Sequence, residues 1–248
     1  MLILLPPSES KRDRTRGAAM DRARLSFPEL APTRASVAAT LAEVSGRPDA
    51  PALLGVSANL LRDIRRNLVL DTAPALPAAD LYTGVLYDAL DLPGLDTAAL
   101  RRARRWLLVI SALYGALRPA DKVAPYRLSM GVNLGELGPL AALWREPLSR
   151  VLPSVAGRGV IVDCRSSTYA AAWAPQGELA ARWVQVMVPG ATHMAKHTRG
   201  LVARHLCLAG VDARTPRALA DVLAGEFKTN LAEPRRAGQP WVLEASTA

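Results

Sequence analysis

Cysteine and lysine are both scarce in this sequence. Two cysteines, Cys164 and Cys207, in 248 residues leave no disulfide framework and fit a reducing, cytoplasmic compartment. Only four of the 31 basic residues are lysines, so the net charge of +9 is carried almost wholly by arginine. Such a surplus favours polyanions or phosphorylated ligands, although an Ala-, Arg- and Pro-rich composition also follows from a GC-rich genome. Long apolar runs are missing too. The stretch Met1–Leu5 stops at Pro6-Pro7, has no basic leader and is too short for a signal peptide or a membrane span. It reads as a first strand, and no membrane partner is expected. No repeat, long linker or low-complexity tract divides the chain, so 1–248 reads as a single domain, near the upper size that one core serves. Half of the residues are apolar, far from the composition of disorder.

Four short apolar runs read as buried strands: Leu2–Leu5, Trp106–Ile110, Val160–Cys164 and Trp183–Val188. Helical patterns occupy Thr33–Val44, Ala58–Asn67, Thr97–Arg105, Leu137–Val151, His193–Ala209 and Pro216–Leu223. Pro74–Ala79 and Ala232–Pro240 read as loops. Apolar strands separated by helices predict a mixed α/β fold with a central, largely parallel sheet flanked by helices. Three of the predicted strands run into hydroxyl-bearing loops, at Ser8, Ser111 and Ser166. Ligands of open α/β sheets sit at the carboxyl ends of strands, so these serines mark a composite site. Capping of the following helices is their structural alternative.

Several segments carry candidate chemistry. In Asp163-Cys164-Arg165-Ser166-Ser167-Thr168-Tyr169, a helix start near Ser167 would attract an anion, with Arg165 adding a bidentate contact. No glycine-rich phosphate motif is present. In Thr192–Gly200, His193, Lys196 and Arg199 fan across about 120° of a helix, an arc suited to phosphate or to a solvated face. A desolvated Lys196 would serve as base or Schiff-base nucleophile. His193 and His197 have ligand spacing, but no carboxylate completes a metal motif, and neither metal nor cofactor is expected. Arg118 and Arg127 flank a turn containing Asp121, between Tyr114 and Tyr126, and this loop can equally be structural. Tyr82 and Tyr87 surround a glycine and suit either base stacking or core packing. The stretch Pro51–Leu61 resembles a helix-hairpin-helix turn at Gly55 and Ser57, followed by Arg62, Arg65 and Arg66. Serine replaces the second glycine of that turn, at a greater cost for an unusual φ, and an ordinary N-cap at Ser57 is the alternative.

Together these segments resemble the YaaA family of peroxide-stress proteins, and its actinobacterial branch in particular. The similar stretches are Leu4–Glu9, Tyr82–Asp88, Ser111–Gly115 with Leu117-Arg118-Pro119, Pro125–Gly131, Arg165-Ser166, and His193–Lys196 with Thr198-Arg199-Gly200. The resemblance implies a mixed α/β fold with a positively charged cleft and a helix-hairpin-helix element. It also implies a cytoplasmic role in the hydrogen-peroxide response, limiting free iron and DNA damage, with DNA as a proposed ligand. Ser10, Ser57, Ser167-Thr168 and a short stretch between Val188 and His193 depart from the family pattern. They make this a divergent member.

Two readings follow. In the first, a YaaA-type protein binds DNA or another phosphate-rich ligand, with Gly55, Ser57, Arg62, Arg65 and Arg66 on DNA. In the second, a biosynthetic enzyme acts on a nucleotide-like or phosphorylated small molecule. Its catalytic set is Lys196, Glu9, Ser8 and Tyr114. Its anion-binding set is Ser111, Arg118, Tyr126, Arg127, Arg165, Ser166, His193 and Arg199.

Overall fold

The computed structural model describes residues 1–189 and 192–247, except for the side chains of Thr192 and His193. Its strands are β1 (Leu2–Leu5), β2 (Leu76–Pro77), β3 (Leu107–Ser111), β4 (Gly115–Leu117), β5 (Lys122–Val123), β6 (Ile161–Asp163), β7 (Trp183–Met187), β8 (Phe227–Ala232) and β9 (Trp241–Thr247). Its helices are α1 (Ala31–Ser45), α2 (Ala50–Leu53), α3 (Leu61–Arg65), α4 (Ala78–Leu81), α5 (Val85–Leu90), α6 (Thr97–Trp106), α7 (Leu140–Ala156), α8 (Ser167–Ala170), α9 (Thr192–Ala209) and α10 (Pro216–Leu223).

The mixed α/β expectation is met. Seven strands form one sheet in the order β4-β3-β1-β6-β7-β9-β8. The five central strands pair in parallel, with Ile3 opposite both Leu107 and Val162, Ile161 opposite Trp183, and Val184 opposite Trp241. Antiparallel β4 and β8 close the two edges. β1, β3 and β6 are buried along their whole length, as strands covered on both faces require. The chain builds β3 on one side of β1 and later β6 on the other. The loops after these three neighbouring strands therefore open at the same end of the sheet.

Local chemistry sets the element ends. Asp96 starts α6 by accepting from the Ala98 and Ala99 amides at 2.7 and 2.8 Å. Thr215 caps α10, with Pro216 at its first position. α7 runs through Pro147 and Pro153, each of which removes a helix hydrogen bond, and buried Trp144, Leu148 and Leu152 hold it against the core.

Three expectations about elements need correction, and one hairpin is new. Trp106 ends α6 and does not begin a strand. The predicted helix over Ala58–Asn67 is broken into a 3-10 turn, the short α3 and another 3-10 turn, Arg66–Val69. The turn at its end places Asn67 in the interior, against the loop that carries Arg127. Pro74–Ala79 contains β2 and the start of α4, because buried Leu76 pairs with Val123. The hairpin β8–β9 was not anticipated, since Phe227–Ala232 alternates buried and polar residues as an edge strand does. Among the described residues no helix is long and apolar enough to cross a membrane.

Candidate functional site

The loop after β1 makes the floor of a cleft. Ser8 donates its hydroxyl to the carbonyl of Ser10 and accepts from the Thr83 amide at 3.1 Å. Ser10 donates to the Thr83 carbonyl at 3.2 Å. Both hydroxyls thus tie this loop to the turn before α5. That turn needs Gly84, whose φ is +93° and whose missing Cβ would lie 3.1 Å from the Ser10 hydroxyl. Lys11 then turns inward and is 8% exposed. Its Nζ donates to the Ser8 carbonyl at 2.8 Å and lies 3.4 Å from that of Glu9. It sits over the Tyr126 ring, 4.3 Å from the centroid, and 5.7 Å from that of Tyr82.

Beneath the lysine lies a buried set of tyrosines. The Tyr126 hydroxyl is hydrogen-bonded to those of Ser111 at 2.7 Å and Tyr82 at 3.1 Å. Tyr82 stacks on Tyr87, which donates to the Pro6 carbonyl at 2.7 Å. Tyr114 meets Tyr126 edge to face and donates to the Ala124 carbonyl at 3.3 Å. Burial pushes all four phenols well up, so they stay protonated and act as donors rather than bases. The same burial acts on Lys11 in the opposite sense. Desolvation, with Arg127 and then Arg66 nearby, lowers its pKa from 10.5 to about 7, against smaller opposing effects of Asp63 and Glu9.

The walls bring further charge. Arg127 approaches Glu9 at 3.4 Å. Its backbone is clamped by Asn67, which accepts from the Arg127 amide at 2.8 Å and donates to its carbonyl at 2.9 Å. α9 contributes Lys196, which is exposed, and Arg199, whose Nε donates to the Val186 carbonyl at 3.1 Å. Ser166 and Tyr169, at the start of α8, complete the rim, and burial pushes the Tyr169 phenol up to about 12. The cleft encloses about 320 Å³. Lys11, Arg127, Lys196 and Arg199 line it, with Glu9 as the one carboxylate among its lining residues.

The structure divides the sequence-derived candidates into groups. Ser8, Glu9, Arg127, Ser166, Lys196 and Arg199 share this cleft. Ser111 and Tyr126 lie under it, within the tyrosine set. Arg165 does not reach it. Its guanidinium is fully buried, forks onto Asp163 at 2.7 and 2.8 Å and donates to the Trp173 carbonyl at 2.8 Å. Asp163 also takes the indole N–H of Trp183 and Arg165 donates to the Tyr169 carbonyl at 3.3 Å, so the pair holds β6, α8 and β7 together. Arg118 faces elsewhere, donating to the Arg105 carbonyl at 2.6 Å with its guanidinium over Phe27. Asp121 accepts the backbone amide of Arg118 rather than pairing with its side chain. Tyr114 borders a separate cavity of about 240 Å³ beside Arg34. The side chain of His193, and the short stretch before it at residues 190–191, lie outside the described residues.

Gly55, Ser57, Arg62, Arg65 and Arg66 are apart from the cleft. Gly55 makes the turn after α2 with φ +62°. Ser57 has φ −62°, an ordinary extended conformation, and accepts from the Asn59 amide at 3.4 Å. Serine in place of glycine therefore costs no strain there, contrary to the sequence-based expectation. Arg62 and Arg65 are exposed and line a shallow depression with Arg14 and Arg66, the last paired to Asp13 at 2.5 Å and Asp63 at 2.8 Å.

Sequence reasoning missed Lys11 and Asn67. Lys11 stands two residues after Glu9 in a loop already singled out, but its burial depends on tyrosines more than 70 positions away. Asn67 closes a helix-like stretch with nothing local to mark it.

The arrangement defines an α/β protein with a cleft lined by Lys11, Arg127, Lys196 and Arg199 at the carboxyl ends of its central strands. A family model described as peroxide stress protein YaaA matches residues 1–232. A UPF0246 protein of Streptomyces coelicolor is 44% identical over 98% of this chain and 97% of its own. UPF0246 proteins of Corynebacterium efficiens and Corynebacterium glutamicum are 38% and 37% identical, over 92% and 87% of this chain and 94% and 88% of theirs. The chain belongs to the YaaA family.

Proposed function

We propose that this chain is a cytoplasmic YaaA-type protein of the peroxide response that holds a phosphorylated, nucleotide-like small molecule in the cleft beside Lys11. One observation carries the reading. Three cationic side chains, Arg127, Lys196 and Arg199, and the buried amine of Lys11 surround a cavity of about 320 Å³ whose lining includes one carboxylate. A volume of that order lies within the range of small-molecule sites. Arginine forks and lysine ammonium groups are the usual partners of phosphate oxygens. Glu9 leaves the mouth net positive, and Tyr169 adds an aromatic wall.

Calorimetric titration with ADP, ATP and pyrophosphate tests this. Binding is expected for each, and Arg127→Ala combined with Arg199→Ala should weaken it by at least tenfold, because hydrogen bonds to charged groups contribute about 1.5–3 kcal/mol each. Absence of binding at millimolar ligand would refute the reading.

A second reading, DNA binding, is favoured by the exposed Arg62 and Arg65 beside Arg14 and Arg66. It requires a phosphate-driven, sequence-independent mode. Removing Arg62, Arg65 and Arg66 together should then lower the salt slope by about three. An unchanged slope would remove this reading and leave the first intact.

A further inference from the structure

Lys122, Lys196 and Lys228 are exposed, whereas Lys11 is buried to within 8% of completely and still lines the cleft. Among the described residues no carboxylate lies within ion-pair distance of it, and its polar contacts are the carbonyls of Ser8 and Glu9. The charged groups facing it are Arg127 and Arg66, which oppose a positive amine, and Asp63 and Glu9, which favour one. The rings of Tyr126 and Tyr82 also favour the cation. A cation–π contact contributes about 0.5–2 kcal/mol, less than the cost of burying an ammonium group. The two carbonyls take the two N–H groups of a neutral amine as well as those of an ammonium. That leaves the nitrogen lone pair as the free valence.

We propose that Lys11 is a catalytic nucleophile that forms a Schiff base with a phosphorylated aldehyde or ketone, whose phosphate is held by Arg127, Lys196 and Arg199. The inference rests on the phosphorylated-ligand reading and names the ligand's reactive group. The Lys11 lone pair attacks the carbonyl carbon, and the π pair moves to oxygen, which takes a proton as nitrogen gives one up. The carbinolamine then loses its hydroxyl, protonated, as water. The net change is amine plus carbonyl to imine plus water, with no oxidant or reductant. Glu9 is the carboxylate lining the cleft that can relay these protons. A lysine acting only as a base would form no covalent bond to the ligand, which makes the two roles separable.

The test is reductive trapping on the intact chain. Pyridoxal 5′-phosphate is the probe, sodium borohydride reduces any imine to a stable secondary amine, and peptide mass spectrometry locates it. Only four lysines and the amino terminus compete, so assignment is direct. With a pKa of about 7, roughly half of Lys11 is free amine at pH 7. An ordinary exposed lysine has about one part in 2,500. Lys11 should therefore be labelled at least tenfold faster than Lys122, with a rate that levels off just above neutral pH. Unphosphorylated pyridoxal should be at least tenfold slower, and excess pyrophosphate should protect. Labelling of Lys11 no faster than of Lys122 overturns the inference. Intact pyrophosphate binding in that case keeps the phosphate reading. Fast labelling by pyridoxal and pyridoxal phosphate alike, unprotected by pyrophosphate, upholds the nucleophile and removes the phosphate clamp.

Discussion

Replacing Lys11 with methionine keeps an unbranched side chain one atom shorter and deletes its charge. Moving the amine from 10.5 in the unfolded chain to about 7 in the fold corresponds to about 5 kcal/mol of stability forgone below pH 7. The sign is fixed by proton counting. Between about pH 7 and 10.5 the unfolded chain holds a proton that the folded chain has released, so stability rises with pH across that window. From pH 7 to 9 the gain is about 2 kcal/mol. Methionine has no such dependence. It also gives up donors to the Ser8 and Glu9 carbonyls, at about 1 kcal/mol each and independent of pH. The variant should therefore be about 2 kcal/mol more stable than the parent at pH 7 and lose that advantage by pH 9. Burial also pushes the Cys164 and Cys207 thiols up to about 12, but both proteins share that contribution and it cancels in the difference. Urea denaturation of both proteins at pH 7, 8 and 9 reads the effect directly. Curves that run parallel within 0.5 kcal/mol would mean that Lys11 stays charged, and the nucleophile reading would fall with it.

Arg165→Met should cost about 3–5 kcal/mol by stranding Asp163 in the interior, while pyrophosphate affinity in the folded protein changes less than about threefold. Lost affinity at unchanged stability would make Arg165 a ligand contact after all. Asn67→Ala should destabilise by about 1–3 kcal/mol because it leaves buried groups of the Arg127 backbone unpaired. The same change should weaken pyrophosphate binding several-fold, and calorimetry that finds only the stability loss would refute a positioning role for Asn67.

What the sequence made legible was set by range. Leu2–Leu5, Trp183–Met187 and Pro216–Leu223 announce themselves through short apolar runs or a Thr-Pro start, which are properties of neighbouring residues. The convergence of the loops at Ser8, Ser111 and Ser166 followed from one assumption, that their strands are parallel neighbours. Roles within those loops did not follow. Ser8 carries a hydroxyl where a site residue would, yet both its valences go to holding Thr83 and Ser10. Arg165 matches an anion clamp in type and place, but Asp163, two residues earlier, absorbs it. The reverse error hid Lys11. Burial of an amine is decided by Tyr82 and Tyr126 arriving from distant parts of the chain, and no local pattern encodes that.

One glycine governs the aperture of the cleft. Gly200 in α9 lies so close to α5 that a Cβ there would stand 2.2 Å from the Leu86 carbonyl oxygen and 2.8 Å from Ala89. Leu86 and Tyr87 belong to one wall and Arg199 to the other. Their separation is therefore gauged by main chain resting on main chain rather than by rotamers. Rotamer changes leave a spacing of that kind untouched, whereas a single methyl group added at Gly200 would force the two helices apart. Changes at Ser166 or Lys196 alter the rim alone, whereas changing how wide the cleft stands means moving a whole helix.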